Sequence, residues 1–273
     1  DQNKKWSPSE RQNIFTQLQQ QSEPYWGADL IVWPEAAVPA IPQSVSEFLV
    51  GIDNRAKVNQ TALLTGIPTR DWQSGKYYNS VLALGAASGQ YDKTRLVPFG
   101  EYVPFEAVLR GLIRFFNLPM SSFSLGASDQ SLLTIAGEPL ATAICYEIVY
   151  PNLVARISRE ATMLLTVSND AWFGDSFAPQ QHMQMARMRA IEVAKPMLRG
   201  TNNGVTAIVD HRGSIEQQLD QFSTGELRGN VLPRAGKTFF ARTGSWPVVI
   251  MALLICGVLI IRRHLKERLG KQI

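Results

Sequence analysis

Short apolar runs recur along the chain, and between them lie stretches in which apolar residues are three or four positions apart. An uninterrupted apolar run of about four to eight residues is typical of a buried strand, and the wider spacing is typical of a helix. The strand pattern occupies residues 28–33, 62–67, 77–84, 89–91, 132–135, 140–145, 163–168, 206–210 and 214–215. The helical pattern occupies residues 8–21, 44–59, 149–159 and 180–197. This alternation predicts an α/β fold in which helices cover stacked sheets.

The first helix has a recognisable start signal. Ser7 and Glu10 are spaced as in a capping box, and Pro8 stands where the first helical residue is expected. The pattern therefore predicts that the Ser7 side chain caps a helix that begins near Pro8.

A charge-free apolar run covers residues 246–261 near the end of the chain. Counted back to Thr243 it reaches about 19 residues, which is enough to cross a hydrocarbon core of about 30 Å. The tail at 262–273 carries five Lys or Arg residues and one Glu, whereas the charges of the remaining chain cancel. The net charge of +4 therefore belongs to a membrane flank and does not favour nucleic-acid binding. A buried core helix is the alternative for this run.

The basic tail also predicts an orientation, because Lys and Arg accumulate on the cytoplasmic side of a membrane. We expect a catalytic domain at residues 1–240 on the far side, in the periplasm of a bacterium, and a transmembrane helix with a cytoplasmic tail at 241–273. No export signal opens the chain, so we expect it to be the C-terminal portion of a longer multi-pass protein of the bacterial inner membrane.

The chain has two cysteines, Cys145 and Cys256. Cys256 lies inside the apolar run, so it is not expected to reach Cys145. A single thiol in an oxidising compartment indicates a functional residue, although a buried cysteine is often an inert small hydrophobe.

An acid, a cation and this thiol each follow a predicted strand, at Glu35, Lys93 and Cys145. Strand ends are where sites form in layered α/β folds. A thiol is mostly protonated at neutral pH, so Glu35 is the candidate general base and acid for a Cys145 nucleophile. Lys93 then supplies a cation for the oxyanion, and the Tyr146 N–H is a candidate second donor.

Together these segments resemble the nitrilase superfamily, whose members use Glu, Lys and Cys in that order. Within it they are most similar to the apolipoprotein N-acyltransferase branch. The segments that carry the resemblance are Trp33-Pro-Glu-Ala-Ala-Val-Pro39, Leu96-Val-Pro-Phe-Gly-Glu-Tyr-Val-Pro104, Leu118-Pro-Met-Ser-Ser-Phe-Ser124, Ile144-Cys-Tyr-Glu147, Ser168-Asn-Asp-Ala-Trp-Phe-Gly174, Gln184-Met-Ala-Arg-Met-Arg-Ala190 and Thr201-Asn-Asn-Gly204. The resemblance implies a four-layer αββα nitrilase-like sandwich, followed here by one C-terminal transmembrane helix.

The resemblance also assigns supporting residues. It implies that Glu101 is a carboxylate that positions Lys93 or Glu35, with a solvated loop acid as the alternative. Tyr146, Glu147 and Trp6 match residues of the family site, and Trp6 serves packing equally well.

The activity implied by the resemblance is a two-step acyl transfer without cofactor or metal. A phospholipid donates an acyl chain to Cys145 as a thioester, and the N-terminal amine of a diacylglyceryl apolipoprotein accepts it. A membrane-tethered amidase is the alternative enzyme, and a catalytically silent binding module is the alternative from another class. The intact set of Glu35, Lys93 and Cys145 argues against the silent module.

Two further features have open interpretations. Residues 98–125 are rich in apolar side chains, and a lid or membrane-dipping arm that contacts lipid through Phe115 and Phe116 is as compatible with this composition as an ordinary core helix. His182 and His211 suggest a Cys–His peptidase as a further alternative function, which we regard as a poor fit. His182 is expected to cap or pack its helix, and His211 to lie in a turn.

Overall fold

Two β-sheets lie face to face at the centre of the fold, in a computed structural model that describes residues 2–102 and 123–269. The four-stranded sheet has the order β1 (Leu30–Trp33), β2 (Ala62–Arg70), β3 (Tyr77–Gly85) and β5 (Gln90–Asp92). The seven-stranded sheet has the order β11 (Ile215–Leu219), β10 (Thr206–Val209), β9 (Met197–Thr201), β8 (Met163–Ser168), β7 (Glu138–Ile144), β6 (Leu133–Ile135) and β4 (Ala87–Ser88).

Helices cover the outer faces of the two sheets, and two helices follow the last strand. They are α1 (Gln2–Lys5), α2 (Arg11–Ser22), α3 (Ser46–Val58), α4 (Pro151–Ile157), α5 (Ala178–Val193), α6 (Phe239–Thr243) and α7 (Trp246–Leu269). Within the described part of the chain there are also four 3₁₀ helices, at Glu23–Tyr25, Pro42–Val45, Cys145–Val149 and Asp170–Phe173.

Three apolar clusters explain why the layers stack in this way. Between the sheets, Leu64 and Val81 share a buried cluster with Leu165 and Val167. The neighbouring residues on each strand face outward, because side chains alternate along a strand. They pack under helices α2 and α3 on one side and under α4 to α6 on the other. The predicted four-layer αββα sandwich is confirmed.

Parallel pairing gathers several strand ends at one edge of the sandwich. Strand β1 runs parallel to β2, and β7, β8 and β9 run parallel to one another. Antiparallel pairing joins β3 to β5, β6 to β7 and β10 to β11. The residues that follow β1, β7, β8 and β9 are therefore available to one site.

Two details of the predicted helices are wrong. Helix α2 begins at Arg11, Glu10 stands at the N-cap without a side-chain hydrogen bond, and Ser7 contacts Ser9 instead of capping. The helix predicted to reach residue 197 ends at Val193. Ala194 adopts a left-handed conformation with φ of 52°, and Pro196 follows, so Met197 starts strand β9 instead.

Helix α7 is long and apolar enough to cross a membrane over Trp246–His264, with a mean hydropathy of 2.0. Its apolar side chains are exposed, which is contrary to a core helix. The helix starts beside the sandwich, because Asn152 of α4 accepts hydrogen bonds from the backbone N–H and hydroxyl of Ser245. Phe115 and Phe116 lie outside the described residues.

Candidate active site

The three residues predicted to act together converge at the junction of the two sheets. Glu35 follows β1 and Lys93 follows β5, both of the four-stranded sheet. Cys145 follows β7 of the seven-stranded sheet. Base and cation therefore belong to one sheet and the thiol to the other.

The carboxylate of Glu35 is buried and both of its oxygens have partners. Oε1 accepts a hydrogen bond of 2.7 Å from Nδ2 of Asn79 and lies 3.5 Å from Nζ of Lys93. Oε2 accepts a 2.6 Å hydrogen bond from the backbone N–H of Asn169, just after β8. These contacts fix the direction of the carboxylate across the junction of the sheets.

The main chain of Glu35 is held as firmly as its side chain. Its carbonyl oxygen accepts hydrogen bonds from Nζ of Lys5 at 3.0 Å and from Nδ2 of Asn202 at 2.8 Å. Ala36 has a left-handed φ of 46°, a conformation that costs an L-residue energy. Burial lowers the pKa of Lys5 to about 8, against the opposing charge of Glu35.

Lys93 is completely buried between two carboxylates. Its Nζ lies 2.9 Å from Oε1 of Glu101 and 3.5 Å from Oε1 of Glu35. Burial by itself would lower the pKa of Lys93, but Glu35 first, and then Cys145 and Glu101, raise it above its ordinary value. The ammonium therefore remains a fixed cation in this site.

Glu101 does more than pair with Lys93. Its Oε1 also accepts from Nδ2 of Asn79 at 2.8 Å, and its Oε2 accepts from the backbone N–H of Val97 at 2.9 Å. The Asn79 amide thus bridges Glu101 and Glu35. This placement is different from that of a solvated loop acid.

Cys145 sits in a strained turn directly after β7. Its φ is 51°, in the left-handed region that is uncommon for a residue with a side chain. Burial and then Glu35 raise the pKa of the thiol to about 12, while Lys93 and the Ser168 hydroxyl oppose this. The thiol is therefore protonated at neutral pH and needs a base to become a nucleophile.

Glu147 braces the segment that carries Lys93 against the turn that carries Cys145. Its carboxylate accepts from the backbone N–H of Ile144 at 2.8 Å and from the hydroxyl of Tyr91 at 2.9 Å. It also accepts from the backbone N–H and hydroxyl of Thr94, both at 2.7 Å, and from the backbone of Arg95. Glu147 is fully buried, and burial raises its pKa.

The other two matched residues are Tyr146, directly after Cys145, and Trp6, directly after Lys5. The ring of Tyr146 packs edge-on against that of Tyr150, with centroids 5.2 Å apart. Trp6 follows Lys5, and its indole nitrogen is buried without a hydrogen-bond partner among the described residues.

A second buried polar cluster lies behind Cys145, and it contains His182, which packs near the start of helix α5 as expected. Instead of capping its helix, His182 places Nε2 at 3.1 Å from the main-chain oxygen of Cys145 and Nδ1 at 3.0 Å from Asp170. Asp170 also pairs with Arg199 at 2.9 Å. Burial alone would raise the pKa of Asp170, but His182 and Arg199 hold it below its ordinary value. The hydrogen bond from His182 to Cys145 is to the main-chain oxygen and not to the thiol. A Cys–His peptidase pair requires contact with the thiol, so this arrangement does not match one.

Several site residues carried no assigned role in the sequence. They are Lys5, Asn79, Ser168, Asn169, Asp170, Arg199 and Asn202. Four of them lie in or beside the segments 168–174 and 201–204, which follow parallel strands as Glu35 and Cys145 do. A polar residue directly after a predicted parallel strand is therefore the sequence feature that could have identified them. Among residues 2–102 and 123–269, no cluster of three His, Cys, Asp or Glu residues suits a metal ion.

Comparison with known proteins gives consistent results. The carbon-nitrogen hydrolase family model matches residues 5–235. Proteins named apolipoprotein N-acyltransferase from Vibrio vulnificus and Azotobacter vinelandii are each 46% identical, over 93% and 97% of this chain respectively and 52% of their own lengths. The chain therefore spans about half the length of these relatives. The crystal structure of the C. elegans NitFhit protein superposes with a TM-score of 0.62 at 15% identity, over 77% of this chain and 55% of that one.

Proposed function

Because the chain belongs to the carbon-nitrogen hydrolase family, we propose that it transfers acyl groups through a thioester on Cys145. The donor is a phospholipid, and the acceptor is the N-terminal amine of diacylglyceryl-cysteine on an apolipoprotein. The name carried by relatives at 46% identity supports this acceptor over a small amide. The observation that carries the chemistry is the buried Glu35–Lys93 pair beside a thiol whose pKa both residues influence.

In the first step Glu35 takes the thiol proton as the sulfur of Cys145 attacks the ester carbonyl. The resulting oxyanion is stabilised by the ammonium of Lys93 and by the Tyr146 N–H. When the tetrahedral intermediate collapses, the carbon–oxygen bond breaks and Glu35 returns the proton to the departing alkoxide. A lysophospholipid leaves, and the acyl group stays on the sulfur.

In the second step the neutral amine of the acceptor attacks the thioester carbonyl. Glu35 takes a proton from the amine as the carbon–nitrogen bond forms. Collapse of the intermediate releases the Cys145 thiolate, which recovers the proton from Glu35. The product is an amide, and the enzyme has returned to its starting protonation state.

The membrane explains how a lipid ester reaches this site. Helix α7 is long enough to anchor the chain, and the basic sequence at 262–273 favours the cytoplasmic side. In this proposal residues 1–240 form a periplasmic catalytic domain at the bacterial inner membrane. Trp172 and Phe173 are exposed and follow β8 near Asn169, and in this proposal they contact acyl chains.

The proposal is tested by mass spectrometry of the membrane-embedded protein after incubation with phospholipid and no acceptor. We expect an acyl mass on the peptide that contains Cys145, and its release as an amide when a diacylglyceryl-cysteine peptide is added. The Cys145→Ala variant should carry no such mass, with Cys256→Ala as the matched control that retains it. An acyl group on a serine, or no acyl group on the unsubstituted protein, would refute the scheme.

A further inference from the structure

A histidine from helix α5 contacts the main chain of the proposed nucleophile. Nε2 of His182 lies 3.1 Å from the carbonyl oxygen of Cys145. A carbonyl oxygen only accepts hydrogen bonds, so Nε2 must carry the hydrogen and donate it. His182 is 37 positions away in sequence, so this contact depends on how α5 packs over β7 and β8.

The imidazole is fixed by a buried ionic group. Nδ1 lies 3.0 Å from Oδ1 of Asp170, whose other oxygen accepts from Arg199 at 2.9 Å. The hydroxyl of Ser168 donates to the same Oδ1 at 2.5 Å. The side chains of Asp170 and Arg199 are fully buried. Burying such a pair is expensive, and each partner constrains the other, so the ring has little freedom to turn.

The contacted carbonyl shares a peptide unit with the Tyr146 N–H. No cis peptide bond occurs among the described residues, and in a trans peptide the C=O and N–H point in opposite directions. A donor that holds the carbonyl on the α5 side therefore turns the N–H toward the opposite side. A hydrogen bond to the carbonyl also polarises the peptide, which strengthens its N–H as a donor.

We propose that His182 is a positioning residue that aims the Tyr146 N–H at the oxyanion, with Asp170 and Arg199 holding its imidazole in place. This inference rests on the proposed function, because it takes Cys145 as the nucleophile. His182 acts through the main chain, contacts no reacting atom and transfers no proton.

Two substitutions by amide side chains distinguish the contact made by Nε2 from the contact made by Nδ1. In His182→Gln the side-chain nitrogen reaches about as far as Nε2, so donation to the Cys145 carbonyl is retained. In His182→Asn it reaches only as far as Nδ1, so contact with Asp170 is retained and donation to the carbonyl is lost. His211→Asn is the matched control, because His211 lies in the turn between β10 and β11, three strands from β7.

The test measures acylation of Cys145 by phospholipid in the membrane-embedded protein. We expect His182→Asn to lower kcat about tenfold to a hundredfold with KM unchanged, because the contact strengthens only the transition state. His182→Gln should recover most of the rate, and His211→Asn should not change it. Equal kcat in His182→Asn and the unsubstituted protein would overturn the positioning role.

Alkylation of Cys145 by iodoacetamide provides a second readout. This displacement forms no oxyanion, so His182→Asn should alkylate at the unsubstituted rate while its acylation is slow. Parallel losses in both reactions would show that His182 supports the thiol itself, and would overturn the inference. If the unsubstituted protein forms no acyl-Cys145, the proposed function itself fails, which is a different result from normal acylation by His182→Asn.

Discussion

The thiol of Cys145 lies between two charges with opposite effects on its pKa. Glu35 raises that pKa and Lys93 lowers it, while burial adds the largest upward contribution and brings it to about 12. A carboxylate beside a thiol therefore disfavours the thiolate at rest, although the same carboxylate is the proposed base. Glu35 acts by receiving the proton during attack and does not stabilise a thiolate in the resting enzyme.

Substitution Glu35→Gln should separate these two effects. Loss of the negative charge lowers the pKa of the Cys145 thiol, so alkylation by iodoacetamide near pH 8 should become faster. Acyl transfer should fall by at least about a hundredfold, because the general base is gone. The measurement is the alkylation rate of Cys145 from about pH 7 to 10 in a Cys256→Ala background.

The sign of the pH dependence is fixed by the same shift. With a pKa near 12 the unsubstituted thiol should alkylate faster with each pH unit and should not level off near 9. Glu101→Gln is the matched control, since the Glu101 carboxylate contacts Lys93 and Asn79, whereas Glu35 is the carboxylate that raises the pKa of the thiol most. Slower alkylation in Glu35→Gln would contradict this account.

At this scale the sequence identifies the charged residues and misses those that orient them. Glu35, Lys93 and Cys145 were found because each follows a strand, and the structure brings them together. Asn79 was missed because it lies within β3, where a polar residue is ordinary. The donor at Asn169 is a backbone N–H, and the residue type at a position does not reveal such a donor.

At the scale of elements, a left-handed turn follows each of the two strands that carry the proposed base and the thiol. Ala36 follows Glu35 with φ of 46°, and Cys145 itself has φ of 51°. Each turn bends the chain away from its strand and leaves the functional side chain at the sheet edge. Gly66 of β2 permits the first turn, because an added Cβ would lie 2.4 Å from the Pro34 carbonyl oxygen and 2.5 Å from the Ala36 nitrogen.

Substitution Gly66→Ala should therefore displace Glu35 without touching it chemically. Overpacking against backbone typically costs about 1–3 kcal/mol of stability, and a shift of about 1 Å in the base can cost a hundredfold in rate. Thermal unfolding and the acylation rate are the measurements.

Gly51→Ala in helix α3 is the control for the Gly66 substitution. Its Cβ would meet nothing within 4 Å, and alanine favours a helix by about 0.5–1 kcal/mol over glycine. Acylation should be unaffected and stability slightly higher. If Gly66→Ala behaves like Gly51→Ala, the turn after β1 does not depend on this close approach.

The order of elements was largely predictable and their ends were not. Strands β2 and β8 are buried along nearly their whole length and each contains a run of apolar residues, so their sequence pattern is strong. Strand β9 was missed because Met197 continues the apolar spacing of the helix before it, and Arg199 resembles a surface residue. Its pairing with Asp170 and its hydrogen bond to the Val205 carbonyl oxygen make a buried arginine acceptable in that strand.

At the scale of the whole molecule, the apolar helix α7 continues from the catalytic sandwich through α6. Arg159 donates to the carbonyl oxygen of Ala241 in α6, and Asn152 binds Ser245 at the start of α7. The sequence pattern predicts this helix from composition alone, since it needs no tertiary partner to be recognised. The orientation of the chain across a membrane remains a prediction from the basic tail.

Cysteine labelling measures that orientation. In a background with Cys145→Ala and Cys256→Ala, Lys76→Cys places a thiol in the exposed turn between β2 and β3. Lys266→Cys places one beyond the apolar window of α7. A membrane-impermeant maleimide should label Lys76→Cys in intact spheroplasts, and Lys266→Cys only after permeabilisation. The reverse pattern would show that the catalytic domain faces the cytoplasm.

The division of the site between two sheets has a consequence for how this sequence can change over evolutionary time. Glu35 and Lys93 are attached to one sheet and Cys145 to the other. The distance between base and thiol therefore depends on the thickness of the apolar layer between the two sheets. Leu64 and Leu165 help to set that thickness. A larger side chain on one inner face is compatible with the reaction only when a smaller one appears opposite. If the proposed acyl transfer depends on this separation, it limits the summed volume of inner-face residues that never contact substrate.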